Sequence, residues 1–229
     1  MMDHAHDLGA VREATERLLD AVGKLDDDAV AEPSRLPGWS RGHVLAHLSR
    51  NADALGNVLR GLPMYASSET RDADIVEGAP RPLAEQLADL RESADRLFAT
   101  AAEPADWTRT VTLRNGVTDS AARVPFRRWI EVDVHHVDLD VGYELEDLPA
   151  DFTSREIAFL AERFTGNPDV PATALTDEDG RTWSTGGGPQ SALVTVQGTA
   201  AGLLGWLAGR RDGSALTVAG GPLPTLPPL

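Results

Sequence analysis

The sequence predicts an α+β protein of two domains, a four-helix bundle over residues 1–145 and a small α+β domain over residues 150–229. Two observations carry this. Apolar residues recur at helical spacing in four separate stretches before Gly142, whereas after residue 150 short β-branched runs alternate with turn signals and helical segments. Between them lies an acidic, proline-containing segment, 143–151, with the character of a linker.

The elements follow in order. Residues 4–23 place Leu8, Val11, Leu18, Leu19 and Val22 on one helical face and stop at Gly23. The acidic run Asp26-Asp27-Asp28 reads as a solvated loop. Pro33 and Pro37 lead to Gly38-Trp39-Ser40, and Ser40 is a good N-cap for a second helix to about Gly61, with the stripe Val44, Leu45, Leu48, Ala52, Leu55 and Leu59. Met64 to Ala79 is polar and reads as a long loop. A third helix starts at Pro82 and carries Leu83, Leu87, Leu90, Ala94, Leu97 and Phe98. Residues 107–118 alternate around the turn signal Asn115-Gly116, an extended excursion or small hairpin. The fourth helix runs from near Pro125 to about Gly142 through Trp129, Ile130, Val134, Val137 and Val141.

In the second domain, Thr153-Ser154-Arg155-Glu156 fits a capping box opening a helix to about Phe164. Residues 172–176 and 181–184 form a hairpin about Asp177-Glu178-Asp179-Gly180, residues 192–196 a further strand, Thr199 to Arg210 a helix, and Ala215–Val218 a last strand. The proline-rich tail after Gly220 is irregular.

Composition bounds the chemistry. The net charge of -15, from 36 acidic against 21 basic residues, repels phosphate backbones and argues against nucleic acid as a partner. No apolar run reaches the length of a bilayer span, and the polar, acidic start resembles no secretory leader, so a cytoplasmic protein without a membrane partner is expected. There are no cysteines. Disulfides, thiolate metal sites and a protein thiol nucleophile are thereby excluded, and any metal must use His, Asp, Glu or water.

On the fourth helix Glu131 and His135 are four residues apart, so both side chains point to one face and can offer an oxygen and a nitrogen to one ion. Such a pair also arises by chance on acidic helices. The second helix offers His47, with His43 one turn before it as a rival, and Asp133, His136 and Asp138 flank the other pair. Asp138, three residues after His135, can orient that imidazole. Two histidines and a carboxylate on facing helices of a bundle are a ligand set that leaves a divalent metal an open position.

The run from Leu36 to Asp53, with Pro37-Gly38-Trp39-Ser40 ahead of His43 and His47, resembles the mycothiol-dependent maleylpyruvate isomerase family, which belongs to the DinB-like metal-binding bundles. Glu131-Val132-Asp133-Val134-His135-His136-Val137-Asp138-Leu139 is similar to that family's fourth-helix segment, and Leu203 to Arg210 to a helix of its sterol-carrier-like second domain. The resemblance implies a zinc or other divalent metal on His47, Glu131 and His135, and a functional arginine at Arg210, with Arg211 as its rival. It implies a thiol cofactor, mycothiol, whose sulfur takes the open zinc position and adds reversibly to maleylpyruvate, giving fumarylpyruvate after rotation. Arg210 would hold a substrate carboxylate and stabilise the developing enolate. The partners are then a small-molecule thiol and a small electrophile, on a monomer or weak homo-oligomer. The alternatives are a mycothiol S-transferase acting on another electrophile, a metal-dependent hydrolase of the same fold, and a non-catalytic binding protein.

Overall fold

Asp3 opens the first helix by accepting the His6 N–H, and α1 (His4–Val22) buries Val11, Ala14, Leu18 and Val22. The computed structural model describes residues 3–103, 105–187 and 193–228, and its contacts divide the chain into the units Met1–Tyr143 and Glu144–Leu229. It is an α+β protein, helical in the first unit and built on a small sheet in the second.

In the first unit the long helices are α1, α3 (Arg41–Leu59), α5 (Leu83–Ala102) and α6 (Val124–Asp138). The spacing of their apolar residues forms them, and packing of α3 on α5 and α6, and of α1 on α6 and α5, buries the stripes. Leu45, Leu48 and Leu55 of α3 are each at most 2% exposed. Burial on this scale contributes about 2 kcal/mol per leucine. Because α3 is covered by α2, α4, α5 and α6 at once, even its polar Ser49 and Asn51 are buried.

Two helices appear where the sequence suggested loops. The acidic run becomes α2 (Asp27–Ala31), because Asp26 caps it through the Ala29 N–H and Asp27 accepts from Leu83 N–H at the start of α5. The polar stretch after Met64 contains α4 (Ser68–Gly78), capped by Ser67. Its apolar stripe is almost absent, since Ile75 is the one buried large residue. Close approach to α3 holds α4 instead. A methyl on Gly42 would collide with the Ala79 carbonyl, and one on Gly78 with Ala46. Between α5 and α6 the strands β1 (Thr110–Thr112) and β2 (Thr118–Ser120) pair antiparallel, with Asn115 (φ 59°) and Gly116 (φ 73°) left-handed at the turn.

The second unit begins with α7 (Ala150–Phe164), which starts earlier than the suggested capping box. Pro149 precedes it, and the Thr153 hydroxyl donates to the Pro149 carbonyl from inside the helix. Strands β3 (Thr173–Thr176), β4 (Thr182–Thr185), β5 (Val194–Gln197) and β6 (Thr217–Ala219) form one sheet in the order β4-β3-β5-β6, with β3 and β5 parallel. Ala192, where the sequence suggested that β5 begins, lies outside the described residues. Helix α7 packs on β4 and on α8 (Ala200–Leu207), and Leu175 and Val196 are fully buried. Helix α8 is shorter than Thr199 to Arg210: Thr199 is its N-cap, and at Gly209 (φ 68°) the chain turns left-handed. The Gly209 and Arg210 N–H groups then donate back to the Trp206 and Gly205 carbonyls, a Schellman ending.

Candidate metal centre

Helices α3 and α6 are held in register by arginines. At one end Arg41 donates to the Ala29, Leu139 and Asp140 carbonyls, and the Arg35 N–H to the Asp138 carbonyl. Further along, Arg128 of α6 is fully buried and donates to the Leu48 carbonyl (2.8 Å) and to Asn51 Oδ1 (2.9 Å) of α3. Between these ties the two helices bring His47, Glu131 and His135 together.

His47 Nε2 lies 2.9 Å and His135 Nε2 3.3 Å from the same oxygen, Glu131 Oε2, with the imidazoles edge-on at 88°. One ligand atom from each residue lies within 4.8 Å of the other two. Around a tetrahedral metal with bonds of about 2.0–2.1 Å, neighbouring ligand atoms sit about 3.4 Å apart. The two distances to Glu131 Oε2 are close to that, and the ligand set of two imidazoles and one carboxylate fits a divalent ion such as zinc.

Electrostatics prepares the same atoms. Burial pushes the Glu131 carboxyl up, but hydrogen bonds from His135 and His47 outweigh it and hold the group well below the usual carboxylate range. Burial lowers the His47 imidazole, with Glu131 opposing. His135 is also driven down by burial, but its bonds to Asp138 and Glu131 raise it on balance. Asp138, fully buried, accepts from His135 Nδ1 at 2.8 Å, which points Nε2 at the cluster. Burial pulls Arg128 down to about 10 against the pull of Glu131, so it stays cationic at neutral pH beside the cluster. On the other side Arg71 of α4 reaches His47 Nδ1 at 3.3 Å. A guanidinium only donates, so that nitrogen accepts and Nε2 carries the proton facing Glu131.

The flanking candidates are engaged elsewhere. His43 completes a capping box, in which Ser40 Oγ accepts the His43 N–H and the Ser40 N–H donates to His43 Nδ1. Asp133 accepts from Trp129 Nε1 (2.6 Å) and Arg17 (3.1 Å), and His136 stacks on Tyr143. His43→Ala should therefore lose about 1 kcal/mol of stability as a weakened cap yet keep its full metal content, which metal analysis of the purified variant will check. Loss of metal in that variant, with His47→Ala unaffected, would reverse the assignment.

No role for Arg41, Arg71 or Arg128 follows from the sequence alone. An arginine three residues before Glu131, amid Val124, Phe126 and Trp129 on a helix bound for the core, was the available signal for Arg128. In the second unit Arg210 follows the left-handed Gly209, and its Nη1 donates to the Ala208 carbonyl (2.8 Å) at the end of α8. Arg210 lines a cavity of about 520 Å³ with Trp206, Gly209, Asp212 and Leu223. Arg211 is committed to a two-pronged pair with Glu146, at 2.7 and 2.8 Å.

Residues 11–140 match the family described as Mycothiol maleylpyruvate isomerase N-terminal domain, and residues 147–228 the MDMPI C-terminal domain. No curated protein matches the chain by sequence. Among solved structures, the mycothiol-dependent maleylpyruvate isomerase superimposes with a TM-score of 0.88 at 26% identity, over 99% of this chain and 97% of that one. A variant of the same isomerase, with one histidine replaced by alanine, gives the same values.

Proposed function

Because this chain belongs to the mycothiol maleylpyruvate isomerase family, we propose that it is a zinc- and mycothiol-dependent cis-trans isomerase that converts maleylpyruvate to fumarylpyruvate. The observation that carries the reading is the convergence of His47 Nε2 and His135 Nε2 on Glu131 Oε2.

His47, Glu131 and His135 would hold the metal. Bound there, it would keep the mycothiol sulfur as a thiolate at neutral pH, a nucleophile for reversible addition to the conjugated double bond of the substrate. The residues of the chain do the rest. Glu131 is already ionised and supplies the anionic ligand. Asp138 fixes the ring of His135 so that Nε2 stays directed at the cluster. Arg128 offsets part of the carboxylate charge from within the bundle. A ligating His47 carries its ring proton on Nδ1, so Arg71, a pure donor, would turn away from it. Arg210 would hold a substrate carboxylate. Its neighbour Arg211 is spent on Glu146, which supports Arg210 for that task. With no cysteine in the chain, nothing internal competes with the added thiol for the metal.

The test is an activity screen of the zinc-loaded chain with and without mycothiol, on maleylpyruvate and a panel of other electrophiles. The expected result is formation of fumarylpyruvate with no net consumption of thiol, and no turnover when thiol is omitted. Stoichiometric loss of thiol would point to a transferase, and turnover without thiol to a hydrolase. Either result would overturn the isomerase reading.

A further inference from the structure

An acidic protein keeps one concavity free of carboxylates. In the first unit a cavity of about 660 Å³, within the range of small-ligand sites, lies between the segment joining α3 to α4 and the β1–β2 hairpin. Its wall includes Tyr65, Ser67, Ser68, Arg109 and Arg114, and none of its lining residues is Asp or Glu, although the chain has 36 of them. The two arginines differ. Arg109 spends its guanidinium on the Val58 and Leu59 carbonyls at the end of α3. Arg114 is exposed at the hairpin turn beside the left-handed Asn115, and its guanidinium has no ion pair or hydrogen bond among the described residues.

A cation left unneutralised at net charge -15, in a cavity whose wall also carries the hydroxyls of Tyr65, Ser67 and Ser68, is set up for an anion. One residue of the wall, Tyr65, leads toward the metal centre. The Arg71 guanidinium lies 5.9 Å from the centre of the Tyr65 ring, and Arg71 reaches His47 Nδ1. The Tyr65 phenol is raised by burial and further by the charge of Glu131, so it senses the cluster.

We propose that this cavity binds a carboxylate of a small organic dianion, with Arg114 as its principal cation. The identity of that dianion as the substrate rests on the isomerase reading, since maleylpyruvate carries two carboxylates. Arg114 supplies a charge-assisted hydrogen bond to one of them.

Calorimetric titration of the zinc-loaded full chain with maleate, a plain cis dicarboxylate, tests this. Wild type should bind it with an affinity that falls as salt is raised. Arg114→Gln should bind about ten-fold more weakly or worse, and Arg114→Lys should recover part of the loss. With maleylpyruvate, Arg114→Gln should raise KM by a similar factor and leave kcat within about two-fold. Arg114 is exposed, so these variants should fold like wild type. Unchanged maleate affinity in Arg114→Gln, or no binding by wild type, would overturn the proposal. Its fate separates from that of the isomerase reading. Arg114-dependent maleate binding without isomerisation keeps the cavity and sinks the isomerase, whereas isomerisation with unaltered KM in Arg114→Gln does the reverse.

Discussion

His47→Ala and His135→Ala are each expected to strip most of the metal from the purified chain and to abolish measurable turnover. Three protein ligands are the minimum for a catalytic site of this kind, and two do not hold a divalent ion against a competing chelator. The loss should exceed the factor of about 10–100 typical when a residue that merely orients a ligand is removed. Asp138→Asn supplies that comparison, since it leaves all three ligand atoms in place and disturbs the bond that aims His135. Metal analysis after dialysis against a chelator measures the series. The expected order of metal retention is wild type and His43→Ala, then Asp138→Asn, then the two ligand variants. Undiminished metal in both His47→Ala and His135→Ala would remove the triad from the account.

Arg210→Ala should give the opposite pattern, full metal content with turnover reduced by about 10²–10³, the usual cost of losing one hydrogen bond that stabilises developing negative charge. The left-handed Gly209 ends α8 so that Arg210 stands just past the helix, at the wall of a cavity. Arg210→Lys should recover only a fraction, because an ammonium cannot reproduce the planar two-pronged contact with a carboxylate. Arg211→Ala should cost little activity, since Arg211 serves Glu146. Steady-state kinetics on protein of verified metal content decides it. Wild-type kinetics in Arg210→Ala would pass the role to another cation.

What the sequence shows of this molecule is what short-range physics determines. The α3 stripe, the α6 stripe as far as Val137, the Ser40 cap and the Asn115-Gly116 turn depend on residues within a few positions of one another, and each is present in the structure, although α6 ends at Asp138 and leaves Val141 outside it. Helix α4 is not legible in this way. Its hold on the bundle comes from Gly42 and Gly78, which let backbones meet, rather than from an apolar stripe of its own. Helix α2 depends on Asp27 reaching Leu83, more than fifty residues away. The early start of α7 shows propensity giving way to context, since Thr153 fits a cap by type and yet lies a turn inside the helix.

The site divides along the same line. Glu131 and His135 share a face by spacing alone. Spacing could not choose between His43 and His47, which lie one turn apart. In the structure Ser40 takes His43 into its capping box, and His47 lies against Glu131, which favours His47 as the ligand. Arg128, which ties α6 to α3, has its partners on another helix and no motif of its own.

The most direct test of the central claim is X-ray absorption at the zinc edge of the zinc-loaded chain, before and after addition of mycothiol. The chain contains no cysteine, so a thiolate sulfur at the metal can come only from the added thiol. The account predicts nitrogen and oxygen neighbours alone before addition, and one sulfur at about 2.3 Å afterwards. A zinc environment unchanged by mycothiol would contradict it.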